Sequence, residues 1–208
     1  YQNAMSLDQS LELAHNNLGA YYFRKGDYEK ALDEYNLGLA IDPTRSSTWG
    51  YRSSLLTYWG RFDECLELAN AALSDNPQAW YAYFGRGVCK YDSGKYTEAI
   101  KDFKTYLSKK PNDSFALPKL GYAYGYRADA YFEAGNYSAA VPDYEKSVSL
   151  VKDSAHFYCY LSAAYLETHK YKKAIEYYTE GEYARAGWLW HPWTTCRRRT
   201  GYGQHITD

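Results

Sequence analysis

The sequence predicts an all-α fold, a solenoid of antiparallel helix pairs, and three observations predict it. A short pattern recurs five times, small and aromatic residues keep fixed distances from its turn, and apolar residues on both sides of the turn follow helical spacing. The pattern reads GDYEKAL at Gly26, GRFDECL at Gly60, GKYTEAI at Gly94, GNYSAAV at Gly135 and HKYKKAI at His169, with spacings of 34, 34, 41 and 34. Two residues after each turn stands an aromatic (Tyr28, Phe62, Tyr96, Tyr137, Tyr171), and five after it a small residue (Ala31, Cys65, Ala99, Ala140, Ala174). Seven before it come Gly19, Ser53, Gly87, Ala128 and Ser162, and nine after it Tyr35, Ala69, Phe103, Tyr144 and Tyr178. Small residues sit where helices approach closely and aromatics where gaps need filling. Leu18 and Tyr22 before the first turn, then Tyr28, Ala31, Leu32 and Tyr35 after it, make each unit a helix, a Gly-centred turn and a second helix. Pro43, Pro77 and Pro111 close the first three units, where the second helix must stop.

Composition agrees with a folded chain. At 208 residues and 46% hydrophobic content it can bury a core, and the 26 tyrosines follow from repetition of a Tyr-rich unit. Lys and Arg total 24 against 25 Asp and Glu, which gives no overall attraction to nucleic acid or anionic membrane. No run reaches the roughly 18 apolar residues that a membrane span needs, and no signal-like segment opens the chain, so the default location is cytoplasmic. Cys65, Cys89, Cys159 and Cys196 show neither close pairs nor metal-type spacing, and the expectation is reduced thiols with no disulfide holding the fold. The opening YQNAM resembles a cloning leader before an initiator Met5, so residues 1–4 are set apart from the fold.

The 34-residue pattern, with its small, aromatic and proline positions in register, resembles the tetratricopeptide repeat family from Glu12 to Trp188. The resemblance implies a right-handed superhelix of five units, 12–45, 46–79, 80–113, 114–154 and 155–188. They follow an N-terminal segment at 1–11 and precede a cap and tail at 189–208. The last two units depart from the pattern: Lys152 and Ala186 stand at the closing proline, and the fifth has His169 for the turn glycine. The fourth unit is seven residues late. Seven residues are nearly two helical turns and keep the buried face within about 20° of its direction, so the first helix of that unit is lengthened, starting near Leu117 with Pro118 in its first turn.

Arg52, Arg86 and Arg127 recur eight residues before their turns, and Asp102 and Asp143 stand eight after the turns of units three and four. An unpaired buried charge is costly, so Arg86–Asp102 and Arg127–Asp143 read as ion pairs within a unit rather than a cationic ladder for an anionic ligand. Arg52 faces Leu68 and has no such partner in register. His156 and Cys159 share a helical face, the spacing of an activated thiol, yet no third orienting group accompanies them. His191, Cys196 and His205 match no common metal spacing, and no phosphate loop or zinc motif occurs. No catalytic residue, cofactor or metal is expected.

The resemblance implies that the first helix of each unit lines a concave groove receiving a protein or peptide segment. The groove residues so assigned are Tyr58, Tyr81, Phe84, Tyr91, Asp92, Tyr122, Asp129, Phe132, Glu133, His156 and Glu167. The carboxylate clamp of some relatives is not matched, since Asn16, Ala20, Tyr51, Tyr81 and Gly85 stand at its places. Aromatic rings beside Asp92, Asp129, Glu133 and Glu167 suit a partner segment with apolar anchors and Lys or Arg. The expectation is a non-enzymatic interaction module, a scaffold or adaptor; the alternatives are an accessory or fragment domain of a larger enzyme or secretion system, and a small thiol-dependent enzyme. A capping helix from about His191 to Thr200, with Arg197 to Arg199 near its C-terminus, would lay Trp188, Trp190 and Trp193 over the last unit; the other readings are a binding patch, a homodimer contact at this end, and a disordered tail.

Overall fold

The computed structural model describes the backbone of residues 2–186 and the side chains of residues 10–181. The described residues form ten helices and no strand: α1 (Gln2–Lys25), α2 (Tyr28–Ile41), α3 (Ser46–Tyr58), α4 (Phe62–Asp75), α5 (Trp80–Asp92), α6 (Tyr96–Leu107), α7 (Ala116–Glu133), α8 (Tyr137–Leu150), α9 (Ala155–Glu167) and α10 (Tyr171–Ala186). They pair in sequence as an all-α tetratricopeptide-type solenoid. Two compact units divide the chain, and the boundary falls inside α7, between Lys119 and Leu120. α1 already runs from Gln2, through the segment expected to be a leader. The expected cap, with Trp188, Trp190, His191, Trp193, Cys196 and His205, lies outside the described residues.

The turns follow from backbone chemistry. Gly26, Gly60, Gly94 and Gly135 all take φ between 73° and 81°, a region glycine enters without steric cost. His169 is forced into the same region at φ 58°, so the fifth turn keeps the shape without the residue that suits it. Asp27 and Asn136 then cap the second helices of their units, accepting from the backbone N–H of Lys30 and Ala139 at 3.5 and 3.2 Å. α2, α4 and α6 end two to four residues before Pro43, Pro77 and Pro111.

The small and aromatic positions meet as their register requires. A Cβ on Gly19 would lie 2.6 Å from the Tyr35 ring, and one on Gly87 would lie 2.7 Å from Phe103. The second unit gathers Ala128, Ala140, Tyr144, Phe157, Leu161, Ala164, Tyr165 and Ala174 into one buried cluster. In the first unit Leu56, Cys65 and Cys89 form a cluster with Leu68 against it. Burying the Leu and Phe side chains among them stabilises by about 1.5–3 kcal/mol each, which fixes the pairing of neighbouring helices.

Two expectations about cysteine are corrected here. Cys65 on α4 and Cys89 on α5 are joined by a disulfide, and Cys159 is disulfide-bonded too, so these thiols are not reduced. Cys65 occupies the small-residue slot five places after its turn, and Cys89 stands five places before the next turn glycine. In antiparallel neighbours those positions share one level, which brings the two sulfurs together inside the core. With Cys159 bonded, the His156–Cys159 arrangement has no thiolate to activate.

Candidate interaction site

Two of the recurring arginines, Arg86 and Arg127, are structural. Arg86 donates from Nε and Nη2 to the two oxygens of Asp102 at 2.9 and 2.8 Å, and Lys90 Nζ adds a third bond at 2.8 Å. Arg127 grips Asp143 in the same two-pronged way at 2.6 and 2.8 Å. These fork-shaped pairs neutralise carboxylates that are nearly fully buried, and both lie within their expected repeats. Arg52 is 8% exposed and among the described residues has no carboxylate in reach of a bond: it donates to Asn36 Oδ1 at 3.3 Å and lies 4.3 Å from the Trp49 ring centroid. Burial pulls its pKa down to about 10, with the charge of Glu64 opposing.

In the first unit, the assigned groove residues take different places. Tyr58 is 69% exposed and meets Phe23 and Tyr28 edge-on at 5.3 and 5.9 Å. Asp92 is exposed and accepts from the Thr57 hydroxyl at 2.7 Å. Tyr81 is half-buried beside Trp49 and Trp80. Phe84 is fully buried, enclosed by Phe103, Tyr106 and Phe115, so it backs the face rather than lining it. Tyr91 is half-buried, with Lys119 Nζ 5.1 Å from its ring centroid.

In the second unit, the residues assigned on α7 and α9 come together. Asp129 accepts from Tyr144 OH at 2.6 Å and bonds His156 Nε2 at 3.0 Å. His156 is 43% exposed and packs 4.7 Å from Tyr160, which in turn meets Phe132 edge-on at 5.1 Å. Tyr122 leans on Tyr126 and Phe157, while Glu133 is exposed and Glu167 half-buried on the same pair of helices. Burial and then the Asp129 charge hold the Tyr144 phenol far above its ordinary pKa, so it stays a donor to Asp129. The arrangement is an aromatic shelf with carboxylates at its rim. Tyr160 and Tyr126 belong to it although the sequence reading passed over them; their signal was an aromatic four residues after His156 and another four after Tyr122. Among the described residues no group of three metal-ligating side chains comes together.

Comparison with known proteins joins this geometry to the repeat. One tetratricopeptide repeat profile matches residues 58–114 and 127–187, and a second matches residues 12–45. The chain belongs to the tetratricopeptide repeat family. A crystal structure of MamA superposes with a TM-score of 0.53 at 19% identity, covering 82% of this chain and 95% of that one. MamA from Desulfovibrio magneticus RS-1 gives the same score at 16% identity, covering 85% and 96%. At such identities the likeness shows the fold. A DnaJ homolog subfamily C member 7 homolog from Dictyostelium discoideum is 26% identical over 99 residues, 46% of this chain and 18% of that protein. The chain thus spans under a fifth of that relative's length. As a tetratricopeptide repeat chain it is a protein-interaction scaffold of a kind typically without enzymatic activity, and among the described residues no helix is long and apolar enough to cross a membrane.

Proposed function

We propose that the chain binds a protein segment carrying apolar anchors and Lys or Arg, on the face that α7 and α9 form in the second unit. The observation that carries this is the shelf of Phe132, Tyr160, His156 and Tyr122 with Asp129 and Glu133 beside it. Ring faces accept apolar side chains and cations, worth about 0.5–2 kcal/mol per cation–ring contact, and the carboxylates favour basic partners. Asp129 is already engaged by His156, so an incoming cation competes with an imidazole there and meets Glu133 more openly. The role of adaptor follows: the chain holds a partner segment and does no chemistry on it.

The test is a peptide array varying aromatic or Leu anchors and Lys or Arg spacing, probed with wild type and with Glu133→Lys. Basic–aromatic peptides are expected to bind the wild type and lose at least about tenfold in the variant, a 1.4 kcal/mol change. Equal binding by both, or a preference for acidic peptides, would sink the proposal. A second reading is favoured by the match to a small part of a much longer relative: these repeats serve as one accessory part of a larger protein. The Cys65–Cys89 disulfide weighs against the cytoplasmic location expected from the sequence, because a reducing compartment holds such a pair as a dithiol and an oxidising one as the observed bond.

A further inference from the structure

The first unit carries a face formed by α3 and α5, and something already sits on it. Gly50 of α3, an inner position of the second repeat, has the Phe115 ring directly over it: a Cβ there would lie 2.5 Å from Phe115 Cε1 and 3.1 Å from Phe84 Cε1. The same ring meets Tyr51 edge-on at 5.5 Å and Phe84 at 5.9 Å. Four residues on, Lys119 lies over Tyr91 of α5. Phe115 and Lys119 are therefore neighbours on one side of the start of α7, an aromatic and a cation placed on aromatic partners.

The approach of this segment is fixed by Asp113. Its Oδ1 accepts from the N–H groups of Phe115 and Ala116 at 3.0 and 2.8 Å, capping α7. Its Oδ2 accepts from Ser46 OH at the start of α3 and from Tyr106 OH on α6, at 2.8 and 2.7 Å. Burial alone would raise this carboxyl's pKa; the bonds from Tyr106, Ala116, Ser46 and Phe115 outweigh it and hold it low. The seven residues that delay the fourth repeat thus do more than lengthen a helix: they deliver Phe115 to a glycine socket. Phe115 and Lys119 are both only half-buried, as expected of groups resting on a face rather than embedded in a core.

We propose that residues 113–119 are a built-in occupant of an α3–α5 docking face, whose external ligand is a helical segment bearing an aromatic residue followed four places later by Lys or Arg. The chain's own Phe115 and Lys119 supply that chemistry in cis, so the face is closed until a stronger segment displaces them. This rests on reading first-helix faces of these repeats as docking surfaces. A tethered occupant competes at an effective concentration in the millimolar range, which suppresses weak external ligands and admits strong ones.

The test uses the full chain and a fluorescent peptide of its own residues 112–122 as the probe, read by polarisation, with a parallel melt by circular dichroism. Phe115→Ala empties the socket, and binding of the probe is expected to rise at least about tenfold over wild type while the melt stays cooperative. Adding Gly50→Leu to Phe115→Ala fills the socket from the other side and is expected to return binding to the wild-type level. The proposal is overturned if Phe115→Ala binds the probe no better than wild type, if Gly50→Leu leaves the gain intact, or if Phe115→Ala abolishes the cooperative melt, which would make Phe115 core. Glu133→Lys lies in the other unit and leaves the probe's binding unchanged, so failure here and failure of the α7–α9 reading are separate results.

Discussion

Arg52→Met and Arg86→Met change the same kind of residue at the same repeat position and are expected to act in opposite directions. Arg52 is buried without a carboxylate, and the fall of its pKa from 12.5 to about 10 corresponds to a penalty of about 3 kcal/mol for keeping the charge. Because the folded pKa is the lower one, this penalty is fully present at all pH below about 10 and is relieved only above it. Methionine removes it while filling much of the same volume. The loss of the Trp49 contact costs about 1 kcal/mol and that of the long bond to Asn36 about 0.5 kcal/mol, so the variant is expected to gain about 1.5 kcal/mol, roughly 5 °C in Tm. Arg86→Met instead strands Asp102, which is 2% exposed, with Lys90 as its remaining cation, and is expected to lose about 3 kcal/mol. Urea unfolding followed by circular dichroism at pH 7 reads both, since both arginines lie in the first unit. Equal destabilisation by the two substitutions would refute the claim that an in-register carboxylate is what makes the buried arginine tolerable.

Three further outcomes are expected. Reducing the Cys65–Cys89 disulfide, which spans 24 residues of sequence, should lower stability by about 3 kcal/mol, measured as a Tm difference with and without reductant that shrinks in Cys65→Ala/Cys89→Ala to the part carried by the Cys159 disulfide. His169→Gly should stabilise the second unit by about 1 kcal/mol in thermal melts, because glycine enters the left-handed region without the Cβ clash, while the His169–Tyr171 bond at 3.1 Å is lost. Asp113→Asn should cost about 1–2 kcal/mol at pH 7. Since the folded carboxyl has the lower pKa, its contribution is present above the ordinary value near 4 and fades as pH falls through the folded one, so the two melting curves should converge in acid.

The helix pairs were legible because turn chemistry and packing leave period-bound marks: a glycine where φ is positive, a small residue seven before it, an aromatic nine after. The Arg–Asp pairs were legible for the same reason, since both partners keep one distance from one turn. Cys65–Cys89 escaped because its partners belong to different repeats and Cys65 fills a slot any small residue could hold. Equal distance from successive turns was the signal, and it matters only once the antiparallel packing is known. The heptad argument concerned the length of α7, which starts at Ala116, one residue before Leu117. It said nothing of where the preceding Phe115 would go, and so Phe84 was assigned to a surface that Phe115 covers from one side. Asp129–His156 lies across two helices 27 residues apart, where no local spacing reports it.

The disulfide also has a mechanical meaning. A repeat array pulled from its ends ordinarily yields one hairpin after another, each interface giving way to its neighbour's load. Here the backbone between Cys65 and Cys89 carries no tension while the sulfurs stay joined, so about 80 Å of extension is withheld from the pulled chain. The second and third repeats cannot be drawn apart through that strand, and under load the chain would lengthen at its other interfaces first. Oxidation state therefore selects which part of the array acts as the rigid link and which as the extensible one.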